Sequence, residues 1–313
     1  KTIGGYKTPG MLAGEMKRAI PEIAKATNFA WIDDSPDRLA FEKDNKVMKF
    51  DACYADADYF QMMSYPLLIG TPSTVLSAPG SLCISKNMAM AFFGSADAAI
   101  GKTLRCDNRK DFTITGVFKD LPENTAAKFD CLIDWTSFLE DNTWAKDWGN
   151  VGPNTLVLLR KDAKPKQVEA KIRNFLAKYN SDHHRVELGL QRYGDSYLHA
   201  EFKNGYLSGG RIAYVRLFSI VAIFIVLIAC INFMNLTTAR SAKRAREIGI
   251  RKVAGASRAV LMRQFLSEAL LMTVLSVLLA LLLVYMLLPF FNQLSNKQIT
   301  FPSTNIYFWG SLV

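Results

Sequence analysis

The chain has 313 residues, half of them apolar, and a formal net charge of +10. This length accommodates two domains, but the charge is concentrated. Residues 235–268 hold eight basic and two acidic side chains, whereas the remainder holds 30 basic and 26 acidic. Because the remainder is nearly balanced and has no basic stripe, the charge does not indicate a nucleic-acid-binding surface, and no nucleic-acid partner is expected.

The first 205 or so residues mix helical and strand-like patterns without a regular β-α-β repeat, which is typical of an α+β domain. Residues 10–26 are predicted to be helical with Pro21 as an interruption, and residues 164–180 are predicted to be a second helix with one apolar face. Strand patterns occur in NFAWID, KVMKFDACY, DFTITGVF, FDCLIDW and NTLVLLR. The segment NGYLSGG, residues 204–210, is the predicted junction that ends this domain.

The segment GSADAAIGKT, residues 94–103, ends in the Gly-Lys-Thr of a nucleotide-binding P-loop. A P-loop needs a glycine five positions before the Gly-Lys pair, but that position is Ala96. A helical pattern precedes Gly101 and a strand pattern follows it, which reverses the strand-loop-helix order of a P-loop. The spacing and the order both argue against ATP binding by this segment.

The sequence shows no other pattern of a catalytic or metal site. Asp51, Asp56 and Asp58 lack the glycine turn and distal Glu of a calcium loop, so we expect them at a solvated strand end. His183 and His184 are adjacent and therefore face different directions on a helix or a strand. No serine lies in a G-x-S-x-G elbow. The chain is predicted to be no enzyme and to hold no metal or cofactor.

Four cysteines lie in the first 205 residues, and a fifth, Cys230, lies in an apolar run. Four cysteines allow three disulfide pairings, but none of them has CxxC or another metal-ligand spacing. Disulfide bonds and isolated buried thiols are both compatible with this spacing. The choice stays open for Cys53, Cys83, Cys106 and Cys131.

Two apolar runs predict membrane-spanning helices. Residues 217–234 and 269–288 contain no charged side chain, and as helices they reach about 27 and 30 Å, which matches a hydrocarbon core of about 30 Å. A core helix of a soluble protein normally keeps one polar face. The spans are predicted at about residues 212–236 and 266–289, and the final residues resemble the start of a third span near residue 305.

The basic loop between the two runs is assigned to the cytoplasm by the positive-inside rule. Residues 1 to about 210 and the loop near 291–305 then lie on the opposite side. The chain begins without Met or a signal-like run and stops within an apolar segment, so we expect a fragment flanked by further membrane segments. Glu268 lies at the predicted membrane boundary, where it either has a partner or is a water-exposed interfacial carboxylate.

The loop between the spans carries the most specific pattern, ARSAKRAREIGIRKVAGASRAVLMRQFLSEALL at residues 239–271. Its first part is predicted to be an amphipathic helix with Ile250 and Val253 on one side. Gly255 is predicted to end this helix in a left-handed conformation, and Ser257 to cap the next helix. A connector that only sets topology needs basic charge but neither the helix nor the glycine-marked corner.

The stretch REIGIRKVAGAS followed by QFLSEALL closely resembles the loop and third-helix entrance of the FtsX-like permeases of the MacB type, membrane subunits of bacterial ABC transporters. FFGSADAAIGKTL followed by FTITGVFKDLPENT is similar to the periplasmic core domain of that family, in which the Gly-Lys pair lies in a turn between a helix and a strand. These matches span almost the whole chain. The family has a transmembrane helix before the periplasmic domain, which this fragment is expected to lack.

The resemblance implies an α+β periplasmic domain at residues 1–208, with a possible inserted lobe at 56–122, and an FtsX-like transmembrane region at residues 209–313. It implies a permease of the bacterial inner membrane that forms a homodimer or pseudo-dimer, contacts membrane lipids and pairs with an ATP-binding cassette ATPase subunit. ATP hydrolysis by that subunit would drive export or mechanotransmission through the periplasmic domain. The implied coupling residues are Arg244, Arg246, Glu247, Ile248, Ile250, Arg251, Val253 and Gly255.

Two other classes of protein fit the sequence less well. A membrane-anchored sensor or binding protein without an ATPase partner would lead to a cytoplasmic signalling domain, but the chain returns to the membrane after about 34 residues. An extracytoplasmic enzyme tethered by helices would need a catalytic cluster, and the sequence shows none.

Overall fold

The computed structural model describes residues 3–31, 38–122, 125, 128–179, 186–255, 257–295, 299–301 and 308–310. Within the helices, the side chains of residues 241–244, 246, 247, 258 and 295 lie outside this description. The chain divides into two compact units, Lys1–Ile212 and Ala213–Val313.

Strands and short helices alternate along the first unit. The strands are β1 (Ile23–Trp31), β2 (Arg38–Lys43), β3 (Lys46–Ala55), β4 (Leu67–Ile69), β5 (Ser81–Ser85), β6 (Thr103–Cys106), β7 (Lys110–Phe118), β8 (Cys131–Asp134), β9 (Asn154–Leu159), β10 (Glu201–Lys203) and β11 (Tyr206–Gly209). The α-helices are α1 (Leu12–Ala19), α2 (Tyr59–Met62), α3 (Lys86–Phe93), α4 (Ala96–Ala99), α5 (Trp135–Asp141) and α6 (Pro165–Ile172). Short 3-10 helices lie at Thr143–Lys146, Phe175–Lys178 and Tyr193–Asp195.

In the part of the chain that the structure describes, nine strands form one mixed sheet, and β10 and β11 form a separate hairpin. The large sheet has the order β2-β6-β7-β5-β8-β3-β1-β9, with β4 paired to β7, and β2 also pairs with β3. The pairings therefore return to their starting strand and close a ring of six strands. Parallel pairs, β3 with β8 and β5 with β7, lie among antiparallel ones. This mixture confirms the predicted α+β class.

Both faces of the sheet are covered by apolar side chains. Successive strand residues point to opposite faces, so Leu82 and Ile84 of β5 pack with Met88 in one cluster. Cys83, between them, packs in another cluster with Phe118 and with the aromatic side chain of Tyr59. A third cluster joins α1 and α6 to β1 and β9. Burial on both sides of β5 explains why its sequence, SLCIS, shows no polar alternation.

The predicted helix over residues 10–26 is wrong in its second half. Helix α1 ends at Ala19, and β1 starts at Ile23 and pairs with β9. Pro21 explains the change, because it has no backbone donor and disfavours helical geometry at the residue before it. Ile23 and Ala26 are both buried as strand residues, so packing onto the sheet favours the strand here.

The predicted helix over residues 164–180 is shorter than expected, since α6 ends at Ile172 and a 3-10 helix covers Phe175–Lys178. Its predicted apolar face is nevertheless confirmed. Val168, Ile172, Phe175 and Leu176 are all buried in the cluster that includes α1. The spacing of apolar residues therefore predicted the packing face correctly, although the α-helix ends at Ile172 and a 3-10 helix follows it.

All five cysteines are free thiols, and the four in the first unit are buried. Cys53 and Cys83 lie on either side of Leu132, on strands β3 and β5 that flank β8. Two strand spacings separate them by about 10 Å, which is beyond the Cα separation of about 7 Å that a disulfide tolerates. Burial raises the pKa of the Cys106 thiol to about 12. Of the two alternatives, the structure has the buried thiols.

Two long helices form most of the second unit, α7 (Ile212–Val253) and α8 (Arg258–Ser295). Each contains a stretch long and apolar enough to cross a membrane, Ile212–Arg240 and Ala259–Leu294. The third span predicted near residue 305 falls largely on residues outside the described part. Residues 308–310, which are described, are helical.

Asn28 on β1 is a buried polar residue that connects several elements of the first unit. Its Nδ2 donates to Gly10 O at 2.8 Å, and its Oδ1 accepts from Thr155 Oγ1 at 3.1 Å. Its backbone N–H donates to Asp56 Oδ2 at 2.7 Å. Burial raises the pKa of Asp56 to about 6. The expected solvated strand end is therefore wrong for Asp56, whose carboxyl group is packed against β1.

The stability of the first unit is expected to fall as pH rises between about 4 and 6. The folded chain keeps a proton on Asp56 up to about pH 6, whereas the unfolded chain releases it near pH 4, so unfolding releases the proton in this window. From about pH 4 to about pH 7, the free energy of unfolding of the native chain should fall by about 3 kcal/mol relative to that of Asp56→Asn. Urea denaturation of the full chain, followed by Trp fluorescence, measures the difference.

The exposed Asp111 on β7 provides the matched control. Asp111→Asn removes a carboxylate from the same sheet and should leave the pH profile of the native chain unchanged. Parallel profiles for the native chain and Asp56→Asn would show that the Asp56 carboxyl group is not held protonated by the fold.

Candidate coupling site at the turn between the long helices

Helix α7 continues well past its membrane-spanning stretch. The stretch ends at Arg240 and the helix at Val253, so residues 241–253 extend about 20 Å beyond it. We call these residues the α7 extension. Their backbone is helical throughout. The amphipathic helix predicted from the sequence is therefore the end of α7 itself, and its helical register is continuous with that of the span.

Gly255 ends the α7 extension in the left-handed conformation predicted from the sequence. Its φ is +92°, a region that L side chains rarely adopt. Its N–H donates to Lys252 O at 3.2 Å, and the Ala254 N–H donates to Ile250 O at 3.0 Å. Helix α8 begins at Arg258. The sharp, glycine-marked corner between two helices is confirmed.

Two aliphatic side chains of the α7 extension are exposed, Ile250 at 71% and Val253 at 91%. They lie three residues apart and are therefore neighbours on one side of the helix. Ile248 is half-buried. Because the extension lies outside the apolar stretch, a partner that covered Ile250 and Val253 would remove apolar surface from water, which is favourable.

Side chains of α7 and α8 meet across the turn. Arg251 Nη1 donates to Gln264 Oε1 at 2.6 Å. Leu261, one turn into α8, is 9% exposed. These contacts give Arg251 a role in positioning the extension against α8. Gln264 was not predicted as part of the site, since the sequence offers no local signal that an amide on the next helix reaches this guanidinium group.

The remaining predicted site residues are placed by their backbone alone or lie on the surface. Arg244, Arg246 and Glu247 lie on the helical backbone of the extension, and their side chains are outside the described part. Glu268 is exposed on α8, within the stretch Ala259–Leu294. The coupling role of these residues stays a prediction.

The described residues contain no cluster of three or more His, Cys, Asp or Glu side chains that could hold a metal ion. His183 and His184 lie outside the described residues. Gly101, with φ +73°, lies in the turn between α4 and β6, where the Lys102 N–H donates to Ala99 O at 3.1 Å. A helix thus precedes the Gly-Lys pair and a strand follows it, as predicted, which is the wrong order for a P-loop.

An α+β domain followed by two helices of membrane-spanning length, joined by a short turn, is the architecture expected of a membrane protein with an extramembrane domain. A family model described as the MacB-like periplasmic core domain matches residues 4–175, and one described as the FtsX-like permease C-terminal region matches residues 219–313. The chain belongs to the FtsX/MacB-type permeases, a family of bacterial ABC transporter membrane subunits with a periplasmic domain.

Solved structures with a similar fold include a domain of a candidate permease protein from Porphyromonas gingivalis, at 22% identity and a TM-score of 0.50, covering 60% of this chain and 86% of that one. The periplasmic region of MacB from Actinobacillus actinomycetemcomitans matches at 18% identity and a TM-score of 0.41, covering 55% of this chain and 73% of that one. The extracellular domain of the noncanonic ABC-type transporter YknZ from Gram-positive bacteria matches at 13% identity and a TM-score of 0.43, covering 60% of this chain and 90% of that one. No significant match is found among curated proteins.

Gly255→Ala is expected to destabilise the turn by about 1 to 2 kcal/mol, because an L residue at this φ is strained. A Cβ at Gly255 would meet no atom within 4 Å, so the effect reports backbone strain alone. Hydrogen–deuterium exchange of amides 248–262 in the full chain measures the change, and faster exchange is expected.

Gly249 is a matched control, because it lies in the same helix and its added Cβ would also meet nothing within 4 Å. Gly249→Ala should slow exchange in the α7 extension, since alanine favours the helix by up to about 1 kcal/mol. If both variants changed exchange in the same direction, the left-handed turn at Gly255 would be refuted.

Proposed function

We propose that this chain is the permease subunit of an ABC transporter and couples ATP hydrolysis by an ATPase subunit, separate or fused, to conformational change in its periplasmic domain. The observation that carries the proposal is the α7 extension, which presents exposed Ile250 and Val253 on a helix continuous with a membrane span. The permease does no chemistry itself. The output is export or mechanotransmission.

The continuity of α7 favours this role over that of a passive connector. Sharp helix bends occur mostly at proline, at adjacent glycine and serine residues, or at a break in the hydrogen-bond ladder. The sequence of α7 contains no proline and a single glycine, Gly249. A displacement of Ile250 and Val253 by a bound ATPase would therefore be carried along the helix into the membrane.

The charge around the turn supports a cytoplasmic position. Six of the basic residues of this loop lie between Arg240 and Lys252, and short loops rich in Lys and Arg stay in the cytoplasm, where ATP is available. We propose a multi-pass protein of the bacterial inner membrane with the α+β domain in the periplasm. The exposed apolar sides of α7 and α8 then contact lipid and a second permease in a homodimer or pseudo-dimer.

We further propose that residues 1–208 act as the periplasmic domain and residues 209–313 as the transmembrane region, with residues 56–122 inserted as a lobe. The pairing of β3 with β8 supports the insertion. These strands are direct neighbours in the sheet, with Ala52 opposite Cys131, although the intervening chain forms β4 to β7 before it returns. Strands β4 to β7 of this excursion belong to the same sheet as β3 and β8, so the proposed lobe would be built into the sheet rather than attached to it.

Ile250→Asp and Val253→Asp are each expected to lower permease-stimulated ATP hydrolysis about tenfold or more. Each places a carboxylate where the proposed interface excludes water, which costs more than the about 1.4 kcal/mol that a tenfold change in affinity represents. The measurement is ATP hydrolysis by the ATPase subunit, purified with the full-length permease and reconstituted in liposomes.

Ala245→Asp is the matched control for Ile250→Asp, because it adds the same charge to an exposed position of the extension, about 140° around the helix from Ile250 and about 80° from Val253. It should keep full stimulation. If Ile250→Asp and Val253→Asp also kept it, the turn would be a topological connector, and a sensor without an ATPase partner would become the better interpretation.

A further inference from the structure

The hairpin of β10 and β11 immediately precedes α7 in the chain. Strand β11 ends at Gly209 and α7 begins at Ile212, so the connecting chain can span at most about 10 Å. The charge-free part of α7 begins at Leu217, about 8 Å further along the helix. The headgroup layer of a bilayer is itself about 5 to 8 Å thick. Chain length therefore keeps Gly209 within about 10 Å of the start of α7, and Tyr206, at the other end of β11, within about 20 Å of it.

Each face of the hairpin leaves one apolar side chain uncovered, because Tyr206 and Leu207 are successive strand residues and point to opposite faces. Asn204 and Gly205 form its turn with φ values of +52° and +85°, the pattern of a type I′ turn. Tyr206 follows directly and is 76% exposed, and Leu207 is 41% exposed. The Asn-Gly pair between Phe202 and Tyr206 is a hairpin signal, and the junction predicted at residues 204–210 contains strand β11.

Contacts with the N-terminal segment fix how the hairpin is presented. The ring of Phe202 packs edge-on against Tyr6, with ring centroids 5.0 Å apart, and Tyr6 Oη donates to His199 O at 2.9 Å. Gly4 lies so close that a Cβ there would be 2.5 Å from the Phe202 ring and 2.9 Å from Gly205 O. The fold thus uses Phe202 to fasten the hairpin and leaves Tyr206 on its surface.

Basic side chains accompany this exposed surface, together with the exposed carboxylate of Glu201 two residues before Lys203 on β10. Lys203 is exposed and lies opposite Tyr206 in the strand register. The Arg211 guanidinium group lies 4.4 Å from the centre of the Tyr197 ring, which is 50% exposed. Tyrosine rings and basic side chains together are typical of the membrane–water interface, where the rings lie at headgroup level and the cations attract anionic lipid.

We propose that the β10–β11 hairpin binds the headgroup layer of the leaflet next to the first unit, with Tyr206 and Leu207 among the headgroups and Lys203 and Arg211 near lipid phosphates. The occupant of this surface is the bilayer that α7 crosses. The inference rests on the proposed membrane crossing of α7. Its consequence is a fixed height of the hairpin above the bilayer, so that lipid composition can affect the coupling of the periplasmic domain.

Depth measurement by spin labelling tests the proposal on the full chain, reconstituted in vesicles of phosphatidylethanolamine and phosphatidylglycerol. The four buried thiols are inaccessible and Cys230 is exposed on α7, so the native chain takes its label at Cys230. In a Cys230→Ser background, Tyr206→Cys and Leu207→Cys place labels on the hairpin. Val47→Cys, at a position 58% exposed next to the turn between β2 and β3, is the control expected in water.

Power saturation then compares accessibility to oxygen, which concentrates in the bilayer, with accessibility to a water-soluble nickel chelate. We expect the oxygen-to-nickel ratio at positions 206 and 207 to be several-fold higher than at position 47, and lower than at Cys230. Ratios at 206 and 207 equal to that at 47 would overturn the hairpin proposal. Low accessibility to both reagents would also overturn it, because it would mean that protein covers the hairpin.

The label at Cys230 distinguishes failure of the hairpin proposal from failure of the proposed membrane crossing of α7. If Cys230 showed the ratio of a bilayer position while 206 and 207 showed that of water, the hairpin proposal would fail and the membrane crossing of α7 would stand. If Cys230 itself showed the ratio of position 47, the proposed crossing would fail, and the hairpin proposal with it.

Discussion

The proposed coupling depends on one uninterrupted helix, from Ile212 to Val253. A helix in hydrocarbon must satisfy its own backbone groups, and in α7 the same ladder continues beyond the apolar stretch. Its 42 residues extend about 63 Å, roughly twice the thickness of a hydrocarbon core. If α7 crosses the bilayer, its two ends lie on opposite sides of it. A single stiff element then connects the periplasmic domain to the cytoplasmic turn.

The two ends of α7 differ in how they are held. At the first, the Ile212 N–H donates to Leu198 O at 3.1 Å, next to a hairpin fastened by Tyr6 and Phe202. At the other, Gly255 turns the chain back, and Val253 remains exposed. One end is thus tied into a domain with its own core, whereas the other presents apolar surface that only a partner can cover. This asymmetry suits a subunit that receives a displacement at one end and transmits it to the other.

Much of this organisation could be predicted from local sequence, because charge, apolar length and a left-handed glycine are local properties. Such local signals predicted the two spans, the corner at Gly255 and the apolar face of residues 168–176. The closed ring of strands could not be predicted, since β2 pairs with both β3 and β6 through residues distant in sequence. The strand from Ile23 and the buried carboxyl group of Asp56 were missed for the same reason. Packing against remote strands decides both, and for the strand from Ile23 the break at Pro21 adds a local cause.

Site-specific photo-crosslinking from position 250 in the native membrane tests the coupling role of the α7 extension most directly. A photoreactive amino acid at position 250 should crosslink to an ATP-binding cassette subunit, identified by mass spectrometry, and the same probe at position 245 should do so far less. Crosslinks from position 250 to lipid or to the permease alone, with none to an ATPase, would contradict the proposed coupling surface.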